Sequence, residues 1–118
     1  MKTINEIYNF LSQSIIKYAP QDWKEAYFNI EIVPAFSSYS GFYVKTVGRM
    51  NMSVALFPVE TGEYLWELHK LTTKGGNIKW NKARFTVKPD MNFDMEFIWD
   101  QSFQDEVDRK NRNALFYF

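Results

Sequence analysis

An α+β fold is what this chain predicts: a mostly antiparallel sheet of about five strands, with an N-terminal helix and one or two further helices packed on it. Three observations lead there. Apolar residues near the N-terminus recur at three- and four-residue steps, the period of a helix face. From Tyr27 onward the period changes to two, that of a half-buried strand, and later segments repeat it. Turn chemistry separates these segments, and 118 residues with 46% hydrophobic content suit one domain, residues 1–118, better than two.

The first helix is written in Ile4, Ile7, Tyr8, Leu11, Ile15 and Tyr18, which share one stripe. Thr3 with Glu6 fits a capping box, and Pro20 ends the helix by pushing Ala19 out of the helical region. Pro20-Gln21-Asp22-Trp23 is read as a second short helical turn. Phe28, Ile30 and Ile32 then point one way, and Asn29, Glu31 and Val33 the other. Ser37 to Gly41 reads as a turn cluster before a second strand, Phe42 to Val47. Gly48-Arg49 turns the chain into a third strand, in which Met52, Val54 and Leu56 alternate as far as Pro58.

Residues 60–74 fit either helix or hairpin. Helix is favoured, because Gly75-Gly76 falls where a helix needs a stop. Ala83 to Lys88 and Asn92 to Trp99 read as an antiparallel hairpin turned at Pro89-Asp90. Ser102 with Asp105 is expected to cap a last helix running through Ala114. The expected core is Ile7, Leu11, Ile15, Phe28, Ile30, Val54, Leu56, Phe85, Phe93 and Phe97.

The chemical inventory is short. With no Cys there are no disulfides, thiol nucleophiles or zinc–thiolate sites. His69 is the one imidazole and reads as a helix-face residue. No phosphate-binding glycine motif and no G-x-S-x-G elbow occurs, so the chain reads as a non-enzyme with no cofactor and no metal. Asp94 and Glu96 are spaced like ligands on one strand face, but no metal-loop pattern surrounds them. Residues 1–19 lack the pattern of a secretory signal, and no run approaches the ~18 apolar residues of a membrane span. The expected location is the cytoplasm.

Fourteen basic and fourteen acidic residues cancel, which disfavours a general nucleic-acid binder. The charges are nonetheless segregated. Lys70, Lys74, Lys79, Lys82, Arg84 and Lys88 fall in a stretch without an acid. Asp90, Asp94, Glu96, Asp100, Asp105, Glu106 and Asp108 then follow without a base. If exposed, the acidic stripe attracts a basic protein surface. If Arg84 and Lys88 lie across from it, it is neutralised within the sheet. Trp80 amid the basic residues fits base stacking or, more ordinarily, packing at the start of a strand.

Ala19-Pro20-Gln21-Asp22-Trp23 followed by Tyr27-Phe28-Asn29-Ile30-Glu31-Ile32 resembles the YezG-like immunity (antitoxin) family, which carries a helix, then Pro-x-x-Trp, then a strand containing Glu before an aliphatic residue. Trp80 to Val87, a turn, and Phe93 to Asp100 are similar to that family's late Trp, strand, turn and acidic-aromatic strand. The segment Met95 to Asp100 departs from the family's usual Asp-Phe-Asp-Tyr, and the tail from Gln101 has no counterpart. The resemblance implies a cytoplasmic protein that binds and neutralises a cognate toxin in bacterial competition or a toxin–antitoxin system. Charge placement suits a nuclease toxin with a basic cleft. The expected partner-facing residues are Asp94, Glu96, Asp100, Asp105, Glu106 and Asp108, with Trp99 or Phe103 as anchor. The alternative is a small adaptor or ligand-binding domain with no toxin partner.

Overall fold

A computed structural model describes residues 2–34, 37–74, 76 and 78–116, the last six by their backbone alone. The elements run α1 (Ile4–Lys17), β1 (Trp23–Ile32), β2 (Ser37–Lys45), β3 (Arg49–Asn51), a 3-10 turn (Val54–Leu56), α2 (Thr61–Thr73), β4 (Lys82–Val87), β5 (Phe93–Ile98) and α3 (Gln101–Phe116). The five strands make one sheet in the order β3-β2-β1-β4-β5, with every neighbouring pair antiparallel. The expected α+β fold is the observed one. Among the described residues no helix is long and apolar enough to cross a membrane.

Helix α1 begins as its sequence requires. The Thr3 hydroxyl accepts the Glu6 amide at 3.2 Å, and the Glu6 carboxylate accepts the Thr3 amide at 3.1 Å. The Thr3 amide first, and then the Thr3 side chain, hold the Glu6 carboxyl below its ordinary pKa. The stripe Ile7, Leu11 and Ile15 is fully buried against Ala26, Phe28 and Ile30 of β1 and Ala83, Phe85 and Val87 of β4. Helix α2 adds Leu65 and Leu68 to the same core, which settles residues 60–74 as helix. Gly76, at φ 77°, donates to the Thr73 carbonyl just past its end, while Gly75 lies outside the described residues.

Four local expectations are corrected. Pro20 to Trp23 forms no helical turn. Asp22 sits in the left-handed region at φ 61°, which Asp tolerates better than most residues, and the chain enters β1 at Trp23. Ser37 to Gly41 is strand, because each residue finds a partner on β1, from Ile32 opposite Ser37 to Phe28 opposite Gly41. Turn-prone composition yields there to pairing with a long central strand. Gly41 is needed in that row, since a Cβ would meet the Tyr27 carbonyl and the Met52 sulfur. The third strand is only Arg49–Asn51. After Met52 donates to the Gly41 carbonyl at 2.9 Å, the chain leaves the sheet through the 3-10 turn to reach α2. Finally, Ser102 and Asp105 do not cap α3. The Asp100 carboxylate does so, accepting the Phe103 amide at 2.9 Å.

These changes reassign the core. Phe57 takes the place expected of Leu56 and stacks on Phe28, with ring centroids 5.8 Å apart. Leu56 is 59% exposed and Val54 only half-buried. Phe97 packs against the core without entering it, and Phe93 is 45% exposed at the sheet edge. One buried polar contact ties the layers together: the Tyr43 hydroxyl of β2 donates to the Ile15 carbonyl near the end of α1 at 2.6 Å. Burial pushes its phenol up to about 12.

Two stability measurements test this packing. Leu11→Ala should cost about 2–5 kcal/mol in denaturant unfolding, and a loss under about 0.5 kcal/mol would mean that the stripe is not buried. The raised Tyr43 pKa predicts an alkaline transition. The unfolded chain releases this proton near pH 10 and the folded chain only near 12, so the contribution is complete below 10 and fades between 10 and 12. Wild type should therefore lose roughly 2–3 kcal/mol of its advantage over Tyr43→Phe across that window. A pH-independent difference between the two would contradict the assignment.

Candidate partner-binding surface

Because both α1 and α2 lie on one side, strand alternation puts a second set of side chains on an open face. Register across β2, β1, β4 and β5 arranges them in rows. Phe42, Tyr27, Thr86 and Asp94 form one row; Ser40, Asn29, Arg84 and Glu96 the next; Ser38, Glu31, Lys82 and Ile98 the third. The last two rows line a groove of about 460 Å³.

The charges on this face are unevenly satisfied. Lys82 lies 3.1 Å from the Asp100 carboxylate and 3.8 Å from Glu31. Arg84 sits directly across from Glu96 in register, yet its Nε donates to the Asn29 side-chain oxygen at 2.9 Å and its guanidinium covers the Tyr27 ring. Tyr27 in turn donates its hydroxyl to Glu25, which raises its pKa. Asp94 and Glu96 are exposed and make no ion pair among the described residues. Cross-strand neutralisation by Arg84 and Lys88 thus does not occur, although both lie on or beside the neighbouring strand.

The remaining acidic positions do other things. Asp100 caps α3 and holds Lys82; the Phe103 amide first, and then the Lys82 ammonium, keep its carboxyl below the usual range. Asp105 and Asp108 accept from Gln101 and Gln104 along α3, at 2.8 and 3.0 Å. Glu106 pairs with Arg109 and Lys110. The two aromatic anchors diverge. Phe103 lies under the Lys82 ammonium on the open-face side. Trp99 lies on the helix side, under the Lys79 ammonium at 4.0 Å, in a hollow of about 310 Å³ with Trp66, His69 and Trp80. The eight expected residues therefore form an acidic edge at Asp94 and Glu96, and a largely self-paired helix beyond it.

Trp80 is packed inside, with its indole N–H on the Thr72 hydroxyl at 2.8 Å, so it offers no ring to a nucleic-acid base. His69 bonds the Trp80 carbonyl at 2.9 Å through Nε2. A carbonyl only accepts, so this nitrogen carries the proton and the ring serves packing. Among the described residues no three His, Asp or Glu side chains gather as metal ligands.

Sequence reasoning missed Asn81. Its buried amide bonds both backbone groups of Asp100: the oxygen accepts the Asp100 N–H and the nitrogen donates to the Asp100 carbonyl, each at 2.8 Å. Its own backbone bridges Ile98 of β5 and Ile32 of β1. A lone Asn before a strand carries no signal of this, because both partners lie elsewhere in the chain.

What the geometry defines is a one-sided α+β sheet with an exposed acidic edge strand. A scan against models of known families finds none that matches the chain, and a search of curated proteins finds no match either.

Asn81→Ala should strand the Asp100 amide and carbonyl and cost about 2–3 kcal/mol in unfolding. Amide exchange over the first turn of α3 should speed up more than exchange in α1. Equal acceleration in both helices would show that Asn81 supports the whole fold and not this junction.

Proposed function

We propose that the chain is an immunity protein that binds a cognate bacterial toxin and neutralises it by occluding the active site or substrate cleft. It acts in the cytoplasm and by binding, not catalysis. The observation that carries this reading is the β5 edge, where Asp94 and Glu96 stay exposed and unpaired although Arg84 lies one strand away. Unpaired like charge on an edge strand is unfavourable for the free fold and favourable beside a basic surface. A nuclease cleft, built to hold phosphates, is such a surface. The sequence resemblance to YezG-like immunity proteins points the same way.

A small ligand-binding or adaptor domain is the second reading. The open-face groove, with Arg84 held in place by Asn29 and Tyr27, favours it.

Co-expression with a candidate toxin domain taken from a reading frame adjacent to this gene tests the first reading: growth should be rescued and the two proteins should co-purify. Reversing Asp94 and Glu96 to Lys should leave stability within about 0.5 kcal/mol of wild type while slowing association, and salt should weaken the wild-type complex. Absence of both rescue and co-purification would remove the immunity reading. Rescue undiminished by the double reversal would move the contact surface away from β5.

A further inference from the structure

The two edges of the sheet are built differently. β3 has three residues, and its Arg49 guanidinium is folded over Phe42. A short edge bearing a cation is the usual way to discourage further pairing. β5 has six residues, Phe93–Ile98, with no Lys, Pro or register shift, and only β4 beside it. The β4–β5 hairpin closes with the Lys88 amide on the Asn92 carbonyl at 2.9 Å. Antiparallel pairs alternate between bonded and non-bonded, so Thr86 with Asp94 and Arg84 with Glu96 exchange bonds across the ladder. The amides and carbonyls of Phe93, Met95 and Phe97 therefore point away from β4, and among the described residues nothing meets them.

Side-chain chemistry along this edge is two-sided. Asp94 and Glu96 stand on the open face; Phe93, Met95 and Phe97 stand on the apolar face, with Phe93 nearly half exposed. We infer that β5 is a docking edge that receives an extended segment of the toxin as a sixth, antiparallel strand, and that this segment alternates Lys or Arg with apolar residues. The inference rests on the toxin-binding reading for the source of the segment. Backbone pairing supplies the general attraction, and the alternating side chains supply the selection. The basic residues would face Asp94 and Glu96 while the apolar ones extend the row made by Phe93, Met95 and Phe97. A second copy of this chain is the poorer occupant. Two β5 strands paired antiparallel about Met95, over Phe93–Phe97, place Asp94 opposite Glu96 twice, and like charges directly opposite destabilise a ladder.

The test needs no toxin, so its outcome is separable from growth rescue. The probe is a capped hexapeptide alternating Val and Lys, added to the full chain, with amide exchange read by NMR. Exchange should slow at Phe93, Met95 and Phe97 and change little at Asp94 and Glu96, whose amides are already bonded. Met95→Pro removes one outward donor at an edge position that tolerates proline, and should weaken peptide binding about tenfold or more. Should that variant fail to fold, a peptide N-methylated at alternate residues gives the same reading on the wild-type protein and should not bind. A Val–Glu hexapeptide should not bind either. The inference is overturned if no edge amide is protected, if the N-methylated peptide binds as well as the plain one, or if the protein alone sediments as a dimer that Met95→Pro dissolves. Edge protection together with failure of both rescue and co-purification would keep the docking edge and remove the toxin as its partner.

Discussion

Among the described residues, helices cover only one face of the sheet, and most of the molecule follows from that constraint. α1 and α2 both lie over the side where Phe28, Ile30, Phe85 and Val87 point, so strand alternation must send Tyr27, Asn29, Glu31, Lys82 and Arg84 the other way. A face without cover has to be solvated or engaged by something else, which explains its polar rows and their groove. The same constraint explains the 3-10 turn after β3: a chain that stayed in the sheet through Leu56 could not deliver Phe57 to the helix side, where it stacks on Phe28 and Tyr18.

Charge is distributed by the same geometry. The chain is neutral overall, but β4 brings its cations between β1 and β5, and local competition decides where each one goes. Lys82 goes to Asp100 and Glu31. Arg84 goes to Asn29 and Tyr27, which hold the guanidinium by one hydrogen bond and one ring face. Glu96 is left without a partner although it is Arg84's register neighbour, and Asp94 faces only Thr86. Farther on, Glu106 draws on Arg109 and Lys110, which lie just past the acidic stretch in the chain. Of the seven acids, only Asp100 and Glu106 meet a cation among the described residues; Asp90, Asp105 and Asp108 hold neutral amides, and Asp94 and Glu96 are left side by side on the edge strand with neither kind of partner.

Helix α3 depends on a single junction. Asn81 joins the end of β5 to β1 through its backbone and holds Asp100 through its amide, and Asp100 in turn starts the helix and anchors Lys82. Beyond Phe103 and Gln104 the described side chains of α3 are mainly exposed. The position of α3 beside the open face is thus decided at its first turn, which makes Asp100 a structural residue as much as a member of the acidic surface.

The sequence alone determined the α+β class, α1 with its capping box and the β4–β5 hairpin; for residues 60–74 it favoured helix over hairpin, and the packing of Leu65 and Leu68 decided it. The first three rest on interactions within a few residues or on periods repeated along one segment, and both are legible in a linear pattern. Ile7, Leu11, Ile15, Phe28, Ile30 and Phe85 were readable as core for the same reason. Only the tertiary structure decided the rest. Ser37 to Gly41 became strand because β1 is long enough to pair with it, against its own turn-forming composition. Leu56 lost its core place to Phe57, and Phe93 became an exposed edge residue because, among the described residues, no strand lies beyond β5. The candidate site was half legible: the acids and aromatics were visible as a run, but which carboxylates remain unpaired depends on where Lys82, Arg84 and Asn81 reach. Those reaches cross three strands and join residues up to 55 positions apart, a separation at which a single sequence holds no record of contact.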